Sequence, residues 1–240
     1  MRLKLLNLKK HHRMKSRNKL ISKPDHIKES TTREKVLKNI RHALIDPSDN
    51  PFPDVEYETD VYRPMPEEQD VNFAVEFAKT GGKFLYCASA ADMLAKVKAV
   101  FNDMGWTEAW SNEDSLAGLL NHAGVVAIRP NQGVEMMKIA VTSCEFLIAR
   151  TGSIMMSSQQ LSGRRLYAFP EVHIVIAFIS QIVPDIKTAL TGIREKYTGR
   201  MPSMVTMITG PSRTADIEKT LVMGVHGPKE VYVFLADDTQ

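Results

Sequence analysis

Three loops in the second half of the sequence place arginine beside glycine or a small hydroxyl residue: Arg150-Thr151-Gly152-Ser153, Ser162-Gly163-Arg164-Arg165 and Gly210-Pro211-Ser212-Arg213-Thr214. Guanidinium forks, hydroxyls and glycine-exposed amides are the groups that recognise carboxylates and phosphates. The candidate ligand-binding residues are therefore Arg150, Thr151, Gly152, Ser153, Arg164, Arg165, Gly210, Ser212, Arg213 and Thr214, and the expected ligand is a small anion. No catalytic residue is nominated. The competing reading is that these arginines decorate surface loops. In an open α/β sheet the three loops converge if they leave it at the carboxyl ends of the strands.

Arg213 carries most of this argument. Gly210-Pro211 stops an apolar strand, Ser212 is a good N-cap, and Gly224 stands where a helix begun there needs its C-terminal glycine. The expectation is a helix with Arg213 in its first turn, where the dipole disfavours a cation by roughly 0.3–1 kcal/mol unless an anion sits on the exposed amides. Pairing of Arg213 with Asp216 is the alternative. His226 would lie thirteen residues along, roughly 20 Å away at a helical rise, and so outside any small site shared with Arg213.

Other chemistries find no support. The sequence has neither a Walker A loop nor a strand-linked GxGxxG. Its two cysteines, Cys87 and Cys144, are far apart with no CxxC, so the chain cannot ligate an iron–sulfur cluster alone. The histidines are scattered, and His173, inside a predicted strand, reads as a packed residue. A colourless, metal-free protein is expected.

These loops must be positioned by a framework. A helix from Arg33 to Leu44 carries Val36, Leu37, Ile40 and Leu44 at helical spacing, and Thr32 caps it. Residues 46–66, rich in Pro, Asp, Glu and Tyr, read as an extended crossing segment. Then come a helix over 67–80, a strand Lys83 to Cys87, a helix Ser89 to Met104, a strand within Trp106 to Trp110, a helix Asp114 to His122 and a strand Val125 to Ile128. Alternation with short connections predicts a parallel α/β sheet. Past residue 142, Phe146–Ala149 and Ile154–Ser158 are too close for a crossover helix and read as antiparallel or bent within a mixed sheet. Val172 to Ile179 is a buried strand, a helix runs to about Lys196, and a closing strand, helix and strand complete the sheet. The fold class is α/β, with a mixed, mainly parallel sheet flanked by helices.

Residues 1–23 hold nine Lys or Arg and no acid, whereas residues 24–240 hold 22 basic against 28 acidic residues. The slight net positive charge belongs to the tail, read as a disordered basic arm dispensable for folding, with 24–240 as a single domain. Nucleic acid is not the expected partner. No apolar run approaches the roughly 20 residues needed to span a bilayer, and the basic N-terminus lacks a signal-peptide core, so no membrane partner and a cytoplasmic location are expected.

Thr151-Gly-Ser, Gly163-Arg-Arg, Phe169-Pro-Glu-Val-His173, Gln181-Ile-Val-Pro184, the run from Gly210 to Glu218 and Gly224-Val-His-Gly-Pro228 together resemble the LUD domain family in its lactate utilization form. The resemblance is dense over about residues 142–237. It implies a fold related to the NagB, RpiA and CoA-transferase-like proteins. It also implies a place in a three-protein system that oxidises L-lactate to pyruvate, with the iron–sulfur clusters in partner subunits and none in this chain. Self-association is left open. One departure stands out: the family usually reads Glu-Thr-Gly-Thr where this chain has Arg150-Thr151-Gly152-Ser153, which removes the carboxylate that a covalent transferase mechanism uses. A stand-alone transferase or isomerase of an anionic acyl or sugar-phosphate substrate is the alternative, and a carboxylate beside the Arg213 loop would favour it.

Overall fold

The computed structural model describes residues 32–45, 53–54, 64–130, 137–217, 220–224 and 226–238. The expected tail boundary at residues 23 and 24, and nearly all of the segment 46–66, lie outside them. The chain divides into two compact units, 1–60 and 61–240. The first contributes helix α1, Thr32–Ile45.

The second unit is built on a six-stranded parallel sheet in the order β1 (Lys83–Cys87), β12 (Glu230–Ala236), β7 (Val172–Phe178), β4 (Ile139–Thr142), β2 (Glu108–Trp110), β3 (Val126–Ile128). The central strands β7 and β12 are nearly all apolar because both of their faces are covered. On one face pack α3 (Ala90–Asp103), through Met93, Val97 and Phe101, and α4 (Asp114–His122), through Leu116 and Leu120. Ser89 caps α3 by accepting from the Asp92 amide at 3.2 Å, which fixes where the helix starts.

The other face meets a second sheet of four strands, ordered β8 (Ile182–Val183), β5 (Phe146–Ile148), β6 (Ser153–Ser157), β9 (Val205–Ile208). β5 and β6 are antiparallel, as their short connection requires. Leu147, Ile154 and Met156 from this sheet interleave with Val175, Ala177, Val231 and Val233 from the first. Helix α2 (Gln69–Lys79) closes this layer with Phe73 and Phe77, one turn apart and stacked at 5.4 Å. Helix α6 (Ile186–Lys196) covers the outer side of the second sheet through Ala189 and Ile193.

Two sequence expectations fail here. The strand over 205–208 does not join the main sheet; it pairs antiparallel with β6 in the second one. Residues 212–224 are not a helix: β10 (Arg213–Ile217) and β11 (Thr220–Met223) form an antiparallel hairpin, with Arg213 opposite Met223. The cap-like Ser212 and Gly224 instead tie its base together, the Gly224 amide donating to the Ser212 carbonyl at 3.0 Å. Thr214, Ile217, Thr220 and Val222 are β-branched, and tertiary pairing satisfies a preference that the capping signals had masked.

Candidate functional site

A cleft of about 410 Å³ opens where the chain enters β7 and β12, beside the entry to β1. Its walls are Tyr167 and Ala168 of the short helix α5 (Arg165–Ala168), the stretch from Thr206 to Arg213 that leaves β9 and begins the hairpin, and the turn His226-Gly227-Pro228. These are the amino ends of the parallel strands. The condition set for convergence of the three loops, departure at the carboxyl ends, is not what forms this cleft: the loops before β7 and β12, not those after them, meet the β9–β10 connection.

Backbone bonds hold the walls together. The Ser212 amide donates to the Pro228 carbonyl at 2.8 Å, so the hairpin base lies against the turn before β12. This brings His226, exposed, to the same cleft as Arg213, contrary to the separation a helix would have imposed. Gly210 has φ +78°, and a Cβ there would sit 2.6 Å from Thr80 Oγ1 and 2.7 Å from the Thr80 carbonyl oxygen. Only glycine permits that approach.

Arg213 is exposed, and its Nη2 donates to the Thr80 carbonyl. Thr80 is the C-cap residue of α2, so the guanidinium faces the negative end of a helix dipole rather than the positive end of its own helix. A guanidinium carries five N–H donors, and this contact uses one.

The remaining predicted residues divide. Gly210 and Ser212 line the cleft with Arg213. Ser153 lies behind it, buried, its hydroxyl 2.8 Å from that of Thr209. Gly152 and Thr151 belong to a connection packed on α2: a Cβ on Gly152 would stand 2.2 Å from the Phe77 backbone nitrogen, and Asn72 Nδ2 donates to the Ala149 carbonyl at 2.9 Å. The Arg150 amide donates to the Pro184 carbonyl at 3.1 Å, and its charge helps hold the Asp185 carboxyl below its ordinary range, after the larger effect of the Thr188 amide. Arg164 and Arg165 are exposed, with Arg164 Nη2 donating to Ser203 Oγ at 2.7 Å. None of these three arginines is among the described residues lining the cleft. Thr214 is in β10, opposite Val222.

No carboxylate is among the described residues lining the cleft. An adjoining hollow of about 370 Å³ shares Ala168, His226 and Gly227 with it and adds Glu171, which Lys229 pairs at 3.3 Å. His173 is wholly buried in β7, its Nε2 within 2.9 Å of Thr142 Oγ1, and burial pulls its pKa down to about 3, so the imidazole is neutral. That agrees with its reading as a packed residue. Burial also pushes the Cys87 thiol up to about 11 and raises that of Cys144.

Sequence reasoning missed a polar network beyond the carboxyl ends of β2 and β4. Glu145, with no side-chain exposure, accepts from Ser157 Oγ at 2.5 Å, Tyr197 OH at 2.7 Å and Lys196 Nζ at 2.7 Å. Gln160 accepts from the Ser157 amide at 2.9 Å and donates to Ser143 Oγ at 3.4 Å, and the Ser143 amide donates to Glu113 at 2.9 Å. The signal was present in Cys144-Glu145-Phe146-Leu147-Ile148, one acid opening an apolar strand. Among the described residues no group of three or more His, Cys, Asp or Glu is placed to hold a metal ion. None of their helices is long and apolar enough to cross a membrane.

Residues 131–236 match the LUD domain profile. The chain is 35% identical over 141 residues to lactate utilization protein C of Bacillus licheniformis, covering 55% of this chain and 55% of that protein. Against the protein of the same name from Bacillus subtilis it is 37% identical over 106 residues, 43% of this chain and 44% of the relative. The matches thus span about half the length of these relatives. A solved structure of a DUF162 family protein from Deinococcus radiodurans superposes with a TM-score of 0.53 at 18% identity, over 70% of this chain and 96% of that one, and shows the same fold.

Proposed function

We propose that this chain, whose residues 131–236 match the LUD domain, is a subunit of a lactate utilization system that holds a small carboxylate in the amino-end cleft. One observation carries the reading: the cleft lies within the matched stretch and gathers Arg213, Ser212, Thr209 and His226 around one space. A guanidinium and hydroxyls beside a glycine turn suit a carboxylate, which accepts several hydrogen bonds at once. In this reading the chain binds lactate or pyruvate in the cytoplasm and docks on separate iron–sulfur subunits, where the electrons go. Its own polar groups would orient the acid and hold its negative charge.

Calorimetric titration of L-lactate, pyruvate and phosphate into the purified chain tests the site. Saturable binding of a carboxylate that weakens between low and high salt is expected, because the Arg213 side is exposed. If none of the three binds at millimolar concentration, the reading falls. Co-purification with a cysteine-rich partner encoded alongside tests the assembly separately.

A further inference from the structure

We infer that helix α1 is an amphipathic anchor that lies on an anionic lipid surface. All 14 of its residues, Thr32–Ile45, are exposed. Val36, Leu37, Ile40 and Leu44 recur at helical spacing and share one side of it, with 38–74% of each in contact with water. A contiguous apolar stripe left in water marks an interaction surface. The opposite side carries Lys35, Lys38 and His42, with Arg41 at its border, and Glu34 is the one acid in the helix.

Charge decides what covers the stripe. Residues 1–45 hold fourteen Lys or Arg against three acids, whereas residues 46–240 hold 17 against 25. An anionic surface therefore attracts the N-terminal stretch and repels the remainder of the chain. A second copy of α1 would bring like charges together along the seam. Nucleic acid answers the charge but has no use for the stripe. A groove in a protein reads the stripe and its borders, and leaves the Lys35 and Lys38 side and the basic residues upstream without a role. A bilayer interface takes both features: aliphatic side chains enter the acyl boundary, lysines and arginines meet the lipid phosphates, and the basic run before the helix supplies a second signal. The expectation of no membrane partner rests on the lack of a spanning run, and a helix lying in the interface needs none.

The test is co-sedimentation of the full chain with vesicles of phosphatidylcholine alone and of phosphatidylcholine with about one-third phosphatidylglycerol. Partitioning is expected to be about tenfold or more stronger to the anionic vesicles and to fall at high salt. Ile40→Asp should weaken it about tenfold, the scale of withdrawing one aliphatic side chain from an apolar phase. Lys35→Gln combined with Lys38→Gln should cut the preference for anionic over neutral vesicles by about tenfold while keeping the stripe. Both variants should keep the wild-type Tm. Equal partitioning to the two kinds of vesicle, wild-type partitioning by either variant, or tighter binding of a duplex DNA than of the anionic vesicles would overturn the inference. So would a Tm loss of several degrees in Ile40→Asp, which would show the stripe covered by protein rather than by lipid.

Discussion

The two ends of the main sheet handle polar groups in opposite ways. At the carboxyl end, Glu145 is met by Ser157, Lys196 and Tyr197, and the network runs on through Gln160 and Ser143 to Glu113. At the amino end, exposed Arg213 and His226 and half-buried Ser212 border an open cleft. Open α/β sheets usually hold ligands at the carboxyl ends of their strands. Here the Glu145 network at that end satisfies itself, and the Arg213 guanidinium, with donors to spare, borders the cleft at the other. Polar groups that pair with one another hold the fold; those left with donors to give are the better place to look for a ligand.

If that contrast is right, breaking the closed end costs stability and spares binding. Glu145→Ala strips two hydroxyls and the half-exposed Lys196 ammonium of their acceptor and should lose about 2 kcal/mol in denaturant unfolding, the scale of hydrogen bonds to a charged group. Glu145→Gln, which keeps the shape, should leave L-lactate affinity unchanged. Gly152→Ala places a methyl against the α2 backbone at a φ of +57° and should cost about 2 kcal/mol or more, read as a lowered Tm.

Acid sharpens the comparison on the buried side. His173 binds a proton at about pH 3 when folded and near 6.5 when unfolded, so below pH 6.5 the unfolded chain takes up the extra proton. The contribution is complete above pH 6.5 and is lost toward pH 3 at up to about 1.4 kcal/mol per pH unit. His173→Gln should flatten that part of a stability profile measured between pH 6.5 and 5. The smallest expected effect is Arg213→Ala on the unliganded protein, a loss of about 1 kcal/mol as the Thr80 carbonyl and the α2 dipole lose their cation. A helix at 212–224 with an anion on its first turn would have predicted no loss or a gain, and one with Arg213 paired to Asp216 a small loss.

Much of the framework was legible because period and length speak plainly. Alternating apolar strands and helices point to the parallel sheet, and the four-residue connection after Ile148 rules out a crossover helix, leaving the antiparallel pairing that is found. The hairpin was not legible, since Ser212 and Gly224 are equally good punctuation for a helix and for the base of a β-ribbon. That single ambiguity displaced Arg213 from a helix start to a helix end and hid its proximity to His226. Of the arginine loops, only the Arg213 loop borders the cleft. The Arg150 backbone is tied to Pro184 and the Arg164 guanidinium to Ser203, contacts between distant segments that no local pattern encodes. Glu145 escaped notice for the same reason: its partners lie as far as 52 residues along the chain.

The most direct test is the L-lactate dissociation constant of wild type, Arg213→Ala and Glu145→Gln, measured side by side by calorimetry. Arg213→Ala should raise Kd by about tenfold or more, the range for a hydrogen bond to a charged group, while Glu145→Gln leaves it within a factor of two or so. An unchanged Kd in Arg213→Ala, or a loss of binding confined to Glu145→Gln, would contradict the assignment of the ligand to the amino end of the sheet.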